Sequence, residues 1–414
     1  MKIGVIADPP LVTHSVAVVA SQLAKQWVKQ GHEVHYLGYN YTGENVVHKD
    51  GYTIHTDTFP PTREESVLKF IRDTKVEVLY AHGSKDIFSE GMIAAEKCGI
   101  PYIPHTFYST PVKNDKVATF ESRSDYLAYD LSKVDDVAFC NNFSVGIGYT
   151  LGKRSWFIPN GVDTEIFRPN AEHTVELEMR RKMNIQNSDF VFLFSGSNIS
   201  GKDPGRALDA FAQFLSKQRL MSDTRMINNE PILLMHTRPI NSHLDLKKIA
   251  IDKGIADNVR FATDYFPEWL EQPEADKAYR KGEFSPPYTT TPYTDMPSLF
   301  KVGNVQLVPT LMEGMSTTIL EGMACGLPTI CNDDPVVSEP VVNFSTGLLC
   351  RRLRTNECLT EDMIKHMEYF YLNRDITYQM GKTASNLVRA KYSWDIISKQ
   401  LTYLFQLKLD CYYV

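Results

Sequence analysis

The sequence predicts an α/β protein made of two Rossmann-like, doubly wound lobes facing a cleft. Three observations carry this expectation. Short apolar runs alternate with helix-length segments, the same rhythm restarts after Pro169, and 414 residues are available, enough for two domains at roughly 100–200 residues each. Strands separated by helices pair in parallel through right-handed crossovers, and ligands bind beyond their carboxyl ends.

The elements can be read in order. Ile3 to Ala7 is a short buried strand, followed by a turn holding Pro9 and Pro10. Val16, Val19, Ala20, Leu23 and Trp27 recur at helical spacing, Gly31 closes that helix, and Glu33 to Leu37 is the next strand. Three further strand–helix pairs follow: Val76 to His82 with a helix to Cys98; Tyr102 to His105 with a helix near Ser124 to Lys133; Val137 to Cys140 with Ser144 to Leu151. After Trp156 to Pro159 and the segment Asn160-Gly161-Val162-Asp163, the second set begins at Phe190 to Ser195, with a helix through Ala207, Leu208, Phe211 and Leu215. Strands at Ile232 to His236, Val259 to Ala262, Val305 to Pro309 and Pro328 to Cys331 complete it, a helix to Gly326 preceding the last. Residues 216–230 and 270–295 read as surface excursions. Trp394, Ile397, Leu401 and Leu404 mark an amphipathic closing helix that packs back on the first domain. The expected division is 1–168, 169–390 and the returning helix 391–414.

Composition removes several classes of function. The net charge is −6 and both halves are acidic, so the basic footprint of a nucleic-acid binder is missing. Seven cysteines, with no Cys-x-x-Cys, read as reduced core thiols of a cytoplasmic protein, and eleven histidines form no zinc pattern. The opening strand is too short for a signal peptide, and no run reaches the roughly 18 apolar residues a membrane span requires.

The motifs narrow the chemistry. The first strand ends in Ala7-Asp8-Pro9-Pro10 without glycine, so the turn that lets a dinucleotide pyrophosphate approach the backbone is absent. Gly196-Ser197-Asn198-Ile199-Ser200-Gly201-Lys202-Asp203 satisfies Gly-x4-Gly-Lys, but Asp203 replaces the magnesium-binding hydroxyl and would repel phosphates. Lys202 at this strand-to-helix turn is a candidate to hold one phosphate group, or else a solvated turn lysine. Between Pro309 and Pro328, Glu313 lies in a loop and Glu321 lies eight residues later, along a helix that begins near Ser316. The amides of Gly314, Met315 and Ser316 would face an anion at the helix N-terminus. A carboxylate at Glu321 can accept two adjacent ribose hydroxyls. A capped helix with an exposed glutamate is the plainer alternative.

These residues resemble the retaining glycosyltransferases of sequence family 4, which have the GT-B fold. The resemblance covers essentially the whole chain: Glu313-x7-Glu321 with Gly322-Met323-Ala324-Cys325-Gly326-Leu327-Pro328 as the donor motif, Ile158 to Asp163 and Phe167-Arg168-Pro169 as the hinge, Ser338-Glu339-Pro340 with Thr346 to Leu349, and Tyr392-Ser393-Trp394. It implies metal-independent transfer of a sugar from a nucleoside-diphosphate sugar, such as a UDP- or GDP-sugar, to an acceptor hydroxyl, with no other cofactor. By resemblance, Glu321 holds the donor ribose, Glu313 lies beside the sugar ring, and the amides from Gly314 through Thr317 bind sugar or diphosphate. Lys202 would neutralise the leaving group, and His105 would lie near the transferred sugar, although a buried core histidine is the competing reading. The arginine the family commonly has five residues before the lysine is Ser197 here, so either another cation, Arg206 or Arg238, supplies the charge or the donor's leaving group is bound differently. Thr13, His14 and Ser15 replace a glycine-rich turn on the acceptor side. The resemblance leaves the acceptor open among glycan, lipid, protein, metabolite and modified DNA base. A nucleotide-sugar epimerase or phosphorylase on the same fold, and an idle nucleotide-sugar binding module, are the rival readings.

Overall fold

A computed structural model describes residues 1–10, 15–57, 63–83, 85–106, 112–113, 116–117, 134–169, 174–222, 231–241, 244–271, 289–311, 313–353 and 359–412. The first lobe runs β1 (Lys2–Ala7), α1 (Ser15–Lys29), β2 (Glu33–Gly38), β3 (Val46–Val47), β4 (Thr53–His55), α2 (Arg63–Thr74), β5 (Val78–His82), α3 (Lys85–Cys98) and β6 (Tyr102–Thr106). The short strands β7 (Val112–Lys113) and β8 (Lys116–Val117), then β9 (Asp136–Phe139), α4 (Asn142–Thr150) and β10 (Arg154–Phe157), complete it. Its main sheet has the order β10-β9-β6-β5-β1-β2-β4-β3, and only β3 runs antiparallel to its neighbour. The strands β1, β5 and β6 are buried almost end to end, as a parallel sheet covered on both faces requires.

The second lobe comprises α5 (Thr174–Lys182), β11 (Val191–Ser195), α6 (Pro204–Ser222), β12 (Ile232–His236), α7 (Leu246–Asp252), β13 (Val259–Phe261), α8 (Ala262–Tyr265) and α9 (Met296–Val302). It continues through β14 (Val305–Val308), α10 (Thr317–Ala324), β15 (Thr329–Asn332), β16 (Gly347–Cys350), α11 (Thr360–Leu372) and α12 (Arg374–Lys391). Its sheet is wholly parallel, in the order β13-β12-β11-β14-β15-β16. One apolar layer packs Phe192, Phe211 and Phe214 with Tyr371 on one face; Leu193, Ile319, Leu320 and Met323 form the layer on the other.

The last helix, α13 (Trp394–Tyr412), returns to the first lobe. Its Trp394, Ile397, Leu401 and Leu404 are buried with Trp27 and Tyr80, and the Trp27 indole donates to the Ser398 carbonyl at 3.4 Å. The returning chain is hydrogen-bonded to the hinge: Val162 N donates to Tyr392 O at 2.8 Å and Trp394 N to Val162 O at 3.2 Å. No helix among the described residues is long and apolar enough to cross a membrane.

Several details differ from the sequence expectation. Helices α2, α7, α11 and α12 carry charged exposed faces that diluted their apolar period. Residues 216–222 are the helical last turns of α6 rather than irregular chain, with Leu220 exposed; residues 223–230 and 272–288 lie outside the described residues. The helix expected near Ser124 to Lys133 lies outside the described residues.

Gly161 is the tightest point of the hinge: a Cβ there would lie 2.6 Å from the Trp394 ring and 3.2 Å from its backbone Cα. Gly161→Ala should therefore push α13 off the first lobe and destabilise the fold by about 1–3 kcal/mol, the usual range for overpacking. A lowered denaturant midpoint checks this; an unchanged midpoint contradicts the packing described.

Candidate functional site

The carboxyl ends of both sheets open onto a crevice of about 560 Å³. Ser195 at the end of β11 with Gly196 and Ser197 after it, His236 at the end of β12, and Thr317, Thr318 and Glu321 of α10 line it from the second lobe. Ser21, Gln22 and Lys25 of α1 and the loop His48 to Asp50 line it from the first, with Asp163 at the hinge. Parallel strands deliver their loops to one edge, which is why residues far apart in the chain converge here.

Glu321 is the distinctive group. It is half-buried, lines the crevice, and its carboxylate has no hydrogen-bond or ionic partner among the described residues. Burial pushes its pKa up to about 8. Its position follows from close packing beneath α10. Gln306, wholly buried on β14, donates from Nε2 to the Thr318 carbonyl at 2.8 Å. Gly322 rests on the same amide, where any Cβ would collide with Gln306 Oε1. Gly322 thus lets the helix lie on the strand, with Glu321 turned to the opening.

Lys202 sits in a single 3-10 turn, Ser200–Lys202, and its ammonium is ion-paired with Glu313. Both side chains are partly exposed, so the pair is accessible to a ligand. The following Asp203 adopts φ +48°, caps α6 by accepting from Arg206 N at 3.3 Å, and binds Arg206 Nε at 2.6 Å. Capping and an ion pair explain the aspartate where a phosphate loop needs a hydroxyl.

The loop after Glu313 is gripped by the first lobe. Asn141 Nδ2 donates to Gly314 O at 2.7 Å, and Asn160 Nδ2 to Met315 O at 3.4 Å. Met315 and Ser316 are consequently 4% and 3% exposed, away from the crevice lining, while Thr317 reaches it. The Ser316 and Thr318 hydroxyls share a hydrogen bond of 2.8 Å. Glu339, from the Ser-Glu-Pro motif, accepts from Asn142 N at 2.8 Å at the start of α4, where a helix N-terminus favours negative charge.

Other expected site residues are placed differently. His105 is 0% exposed; its Nε2 donates to Ile158 O at 2.8 Å and its Nδ1 accepts from the Tyr80 hydroxyl at 2.7 Å. Burial lowers its pKa to about 4. With both nitrogens engaged it is the core histidine of the two readings, tying β5 and β6 to Ile158 of the hinge segment that follows β10. Arg238 donates to Leu270 O at 3.0 Å, and Arg206 is turned to Asp203 and Thr360, so neither lines the crevice. Ser197 does. Thr13 and His14 lie outside the described residues; Ser15 begins α1.

Sequence reading missed His236 and the segment Thr289 to Thr294. His236 Nδ1 pairs with Ser195 Oγ at 2.9 Å, and its Nε2 with Thr291 Oγ1 at 2.7 Å and Thr289 Oγ1 at 2.9 Å. Burial lowers its pKa to about 4, so it is a neutral ring near pH 7. The available signal was a histidine at the carboxyl end of a parallel strand. Residues 289–294 were expected on the surface because Pro, Thr and Tyr read as loop; Thr290 is 8% exposed and Tyr293 lines the crevice instead.

Two family models match this chain: Glycosyltransferase Family 4 over residues 16–166 and Glycosyl transferases group 1 over residues 288–386. Together they cover more than half of it and place one match on each lobe. The chain belongs to the family 4 glycosyltransferases of GT-B fold. Among curated relatives of this chain, the Escherichia coli UDP-Gal:alpha-D-GlcNAc-diphosphoundecaprenol alpha-1,3-galactosyltransferase is 24% identical over 65% of this chain and 60% of its own length. A Mycobacterium tuberculosis GDP-mannose-dependent alpha-(1-6)-phosphatidylinositol monomannoside mannosyltransferase is 24% identical over 59% of this chain and 54% of its own. The chain thus spans little more than half the length of these relatives. In fold it is similar to sucrose-phosphate synthase from Thermosynechococcus elongatus, with TM-score 0.72, 15% identity and 98% of both chains covered. It is also similar to Anabaena HepE solved with UDP-glucose, with TM-score 0.69, 14% identity and coverage of 98% and 99%.

A carboxyl whose pKa rises from 4.5 to about 8 on folding keeps its proton while the unfolded chain loses it. Stability from this group therefore falls as pH rises from about 4.5 to 8 and is flat above. Glu321→Gln should raise the melting temperature of the unliganded protein, by an increment that grows between pH 5 and pH 8. An increment independent of pH contradicts the assigned burial.

Proposed function

We propose that this chain transfers a sugar from a nucleoside-diphosphate sugar to an acceptor hydroxyl, with retention of anomeric configuration and without a metal. The carrying observation is Glu321, an unpartnered carboxylate presented to the interlobe crevice within one loop and two helical turns of the Lys202–Glu313 pair. On this reading the division is an acceptor lobe 1–168, a donor lobe 169–390 and a returning helix 391–414. The protein acts in the cytoplasm. The activities of the relatives, with UDP-galactose and GDP-mannose as donors and lipid-linked acceptors, support the class of donor and leave the sugar and acceptor open.

The residues divide the work as follows. Glu321 accepts hydrogen bonds from the two ribose hydroxyls and trades the cost of a buried charge for them. Lys202 exchanges Glu313 for the diphosphate, which frees Glu313 to receive hydroxyls of the sugar ring. The first turn of α10, at Thr317 and Thr318, faces the developing negative charge with its amides. The carbon–oxygen bond to the leaving phosphate breaks as the acceptor oxygen attacks from the same face. A departing phosphate oxygen takes the acceptor proton, and the nucleoside diphosphate leaves. His105 acts as a positioning residue, holding the hinge segment against β6. Closure about Pro169 excludes water, which would divert transfer to hydrolysis.

A thermal-shift screen of nucleotides and nucleotide sugars, followed by labelled-donor incubations with each acceptor class, tests the reading. Glu321→Ala and Lys202→Ala should each weaken donor binding about tenfold or more, the weight of a charge-assisted contact at about 1.5–3 kcal/mol. The product's anomeric coupling by NMR decides retention, and turnover after chelation decides metal independence. Donor binding with no turnover across acceptors would favour the idle module, and donor affinity unchanged in both variants would overturn the site. Because diol binding favours the ionised carboxyl, donor affinity should rise with pH up to about 8. Calorimetry in buffers of different ionisation enthalpy should show proton release on binding; no release contradicts Glu321 as the ribose contact.

A further inference from the structure

Helix α10 presents its first turn to the crevice, and the residues that follow it, Cys325 to Leu327, line a second cavity of about 460 Å³ between α9, α12 and Pro169. Its described lining holds four cations, Lys301, Arg374, Lys382 and Arg389, against one carboxylate, Glu176. This is a concentrated positive site on a chain whose net charge is −6. Glu176 is already committed, 3.3 Å from Arg180 Nε. Lys301, Lys382 and Arg389 form no ion pair among the described residues.

The arrangement is concave and partly fixed. Arg374, Tyr378, Lys382 and Arg389 recur at helical spacing and so share one face of α12, while Lys301 comes from α9 across the groove. The Arg374 guanidinium lies over the rings of Phe190 and Tyr371, at 5.5 and 6.0 Å from their centroids, and donates to Ser188 O at 3.1 Å. It is thereby held with donors to spare. Tyr378, 70% exposed between Arg374 and Lys382, adds an aromatic face beside the cations. A volume of this size suits a small ligand, and guanidinium and ammonium groups converging on it select phosphate oxygens.

We propose that this groove is a second binding site, separate from the sugar-transfer crevice, for a phosphorylated ligand. The shared chemistry is a phosphate ester, supplied either by a soluble metabolite or by an anionic lipid headgroup. Lys382 and Arg389 grip it from α12 and Lys301 closes from α9.

Calorimetric titration of the full chain with inorganic pyrophosphate at low salt tests the site, comparing wild type, Lys202→Ala and the double variant Lys382→Ala/Arg389→Ala. The double variant removes only exposed side chains, and retained circular dichroism verifies its fold. The expected result is a binding event weakened at least tenfold in the double variant and unaffected by Lys202→Ala. A crevice event lost in Lys202→Ala alone is independent of it, so failure of the crevice reading leaves this one standing and the reverse also holds. Sedimentation with phosphatidylglycerol-containing vesicles separates the sources: co-sedimentation lost in the double variant assigns a headgroup, and pyrophosphate binding without co-sedimentation assigns a soluble phosphate. A double variant that titrates and sediments as the wild type does overturns the proposal.

Discussion

The contact between α10 and the central strand β14 is the constraint on which the crevice depends. Gln306 is a wholly buried amide that holds the Thr318 carbonyl, and Gly322 is the point where the helix meets it without a side chain between. An eight-residue helix has little stability of its own, so tertiary packing must hold it. Ile319, Leu320 and Met323 point into the core, which leaves Glu321 on the remaining face. A carboxylate on that face is partly desolvated and unpaired, an unfavourable state in the absence of ligand. Natural proteins keep such groups where a ligand supplies the missing partners.

The second organising feature is the grip of the first lobe on the loop that precedes α10. Asn141 and Asn160 hold the Gly314 and Met315 carbonyls, Glu339 reaches back to the start of α4, and Lys25 lies 3.4 Å from Asp163 at the hinge. These polar contacts are separable at modest cost, unlike the apolar seam between α1 and α13. The architecture therefore combines a firm attachment, the returning helix, with a releasable one across the crevice. Lys202 and Glu313 follow the same logic on a smaller scale: each satisfies the other until a ligand offers both better partners.

Much of the fold was legible because parallel strands covered on both faces are short buried runs dominated by apolar residues, as β1, β5, β11 and β14 are even with the buried Gln306 on β14. The helices that escaped reading, α2 and α12 among them, each bury a narrow stripe beneath charged residues. The position of Glu321 at the crevice was legible from its spacing, and the turn that carries Lys202 from its strand–loop–helix context, although Lys202 itself is not among the residues lining the crevice. His105 was misplaced because a histidine ending a strand looks the same in sequence whether its ring faces ligand or core. Only the Tyr80 hydroxyl and the Ile158 carbonyl, 25 and 53 residues away, decide it.

The sequence by itself determined the two-lobed α/β plan, the returning helix and the placement of the acidic helix and basic turn after parallel strands, because each follows from local periodicity and turn chemistry. Only the tertiary structure decided which groups face the crevice. It brought His236 and Thr289 to Thr294 into the wall, turned Arg206 and Arg238 away, sealed His105 in the core and gathered the cations of α9 and α12 about one groove. Those outcomes depend on hydrogen bonds and packing between segments far apart in the chain, and such partners leave no periodic trace in the order of residues.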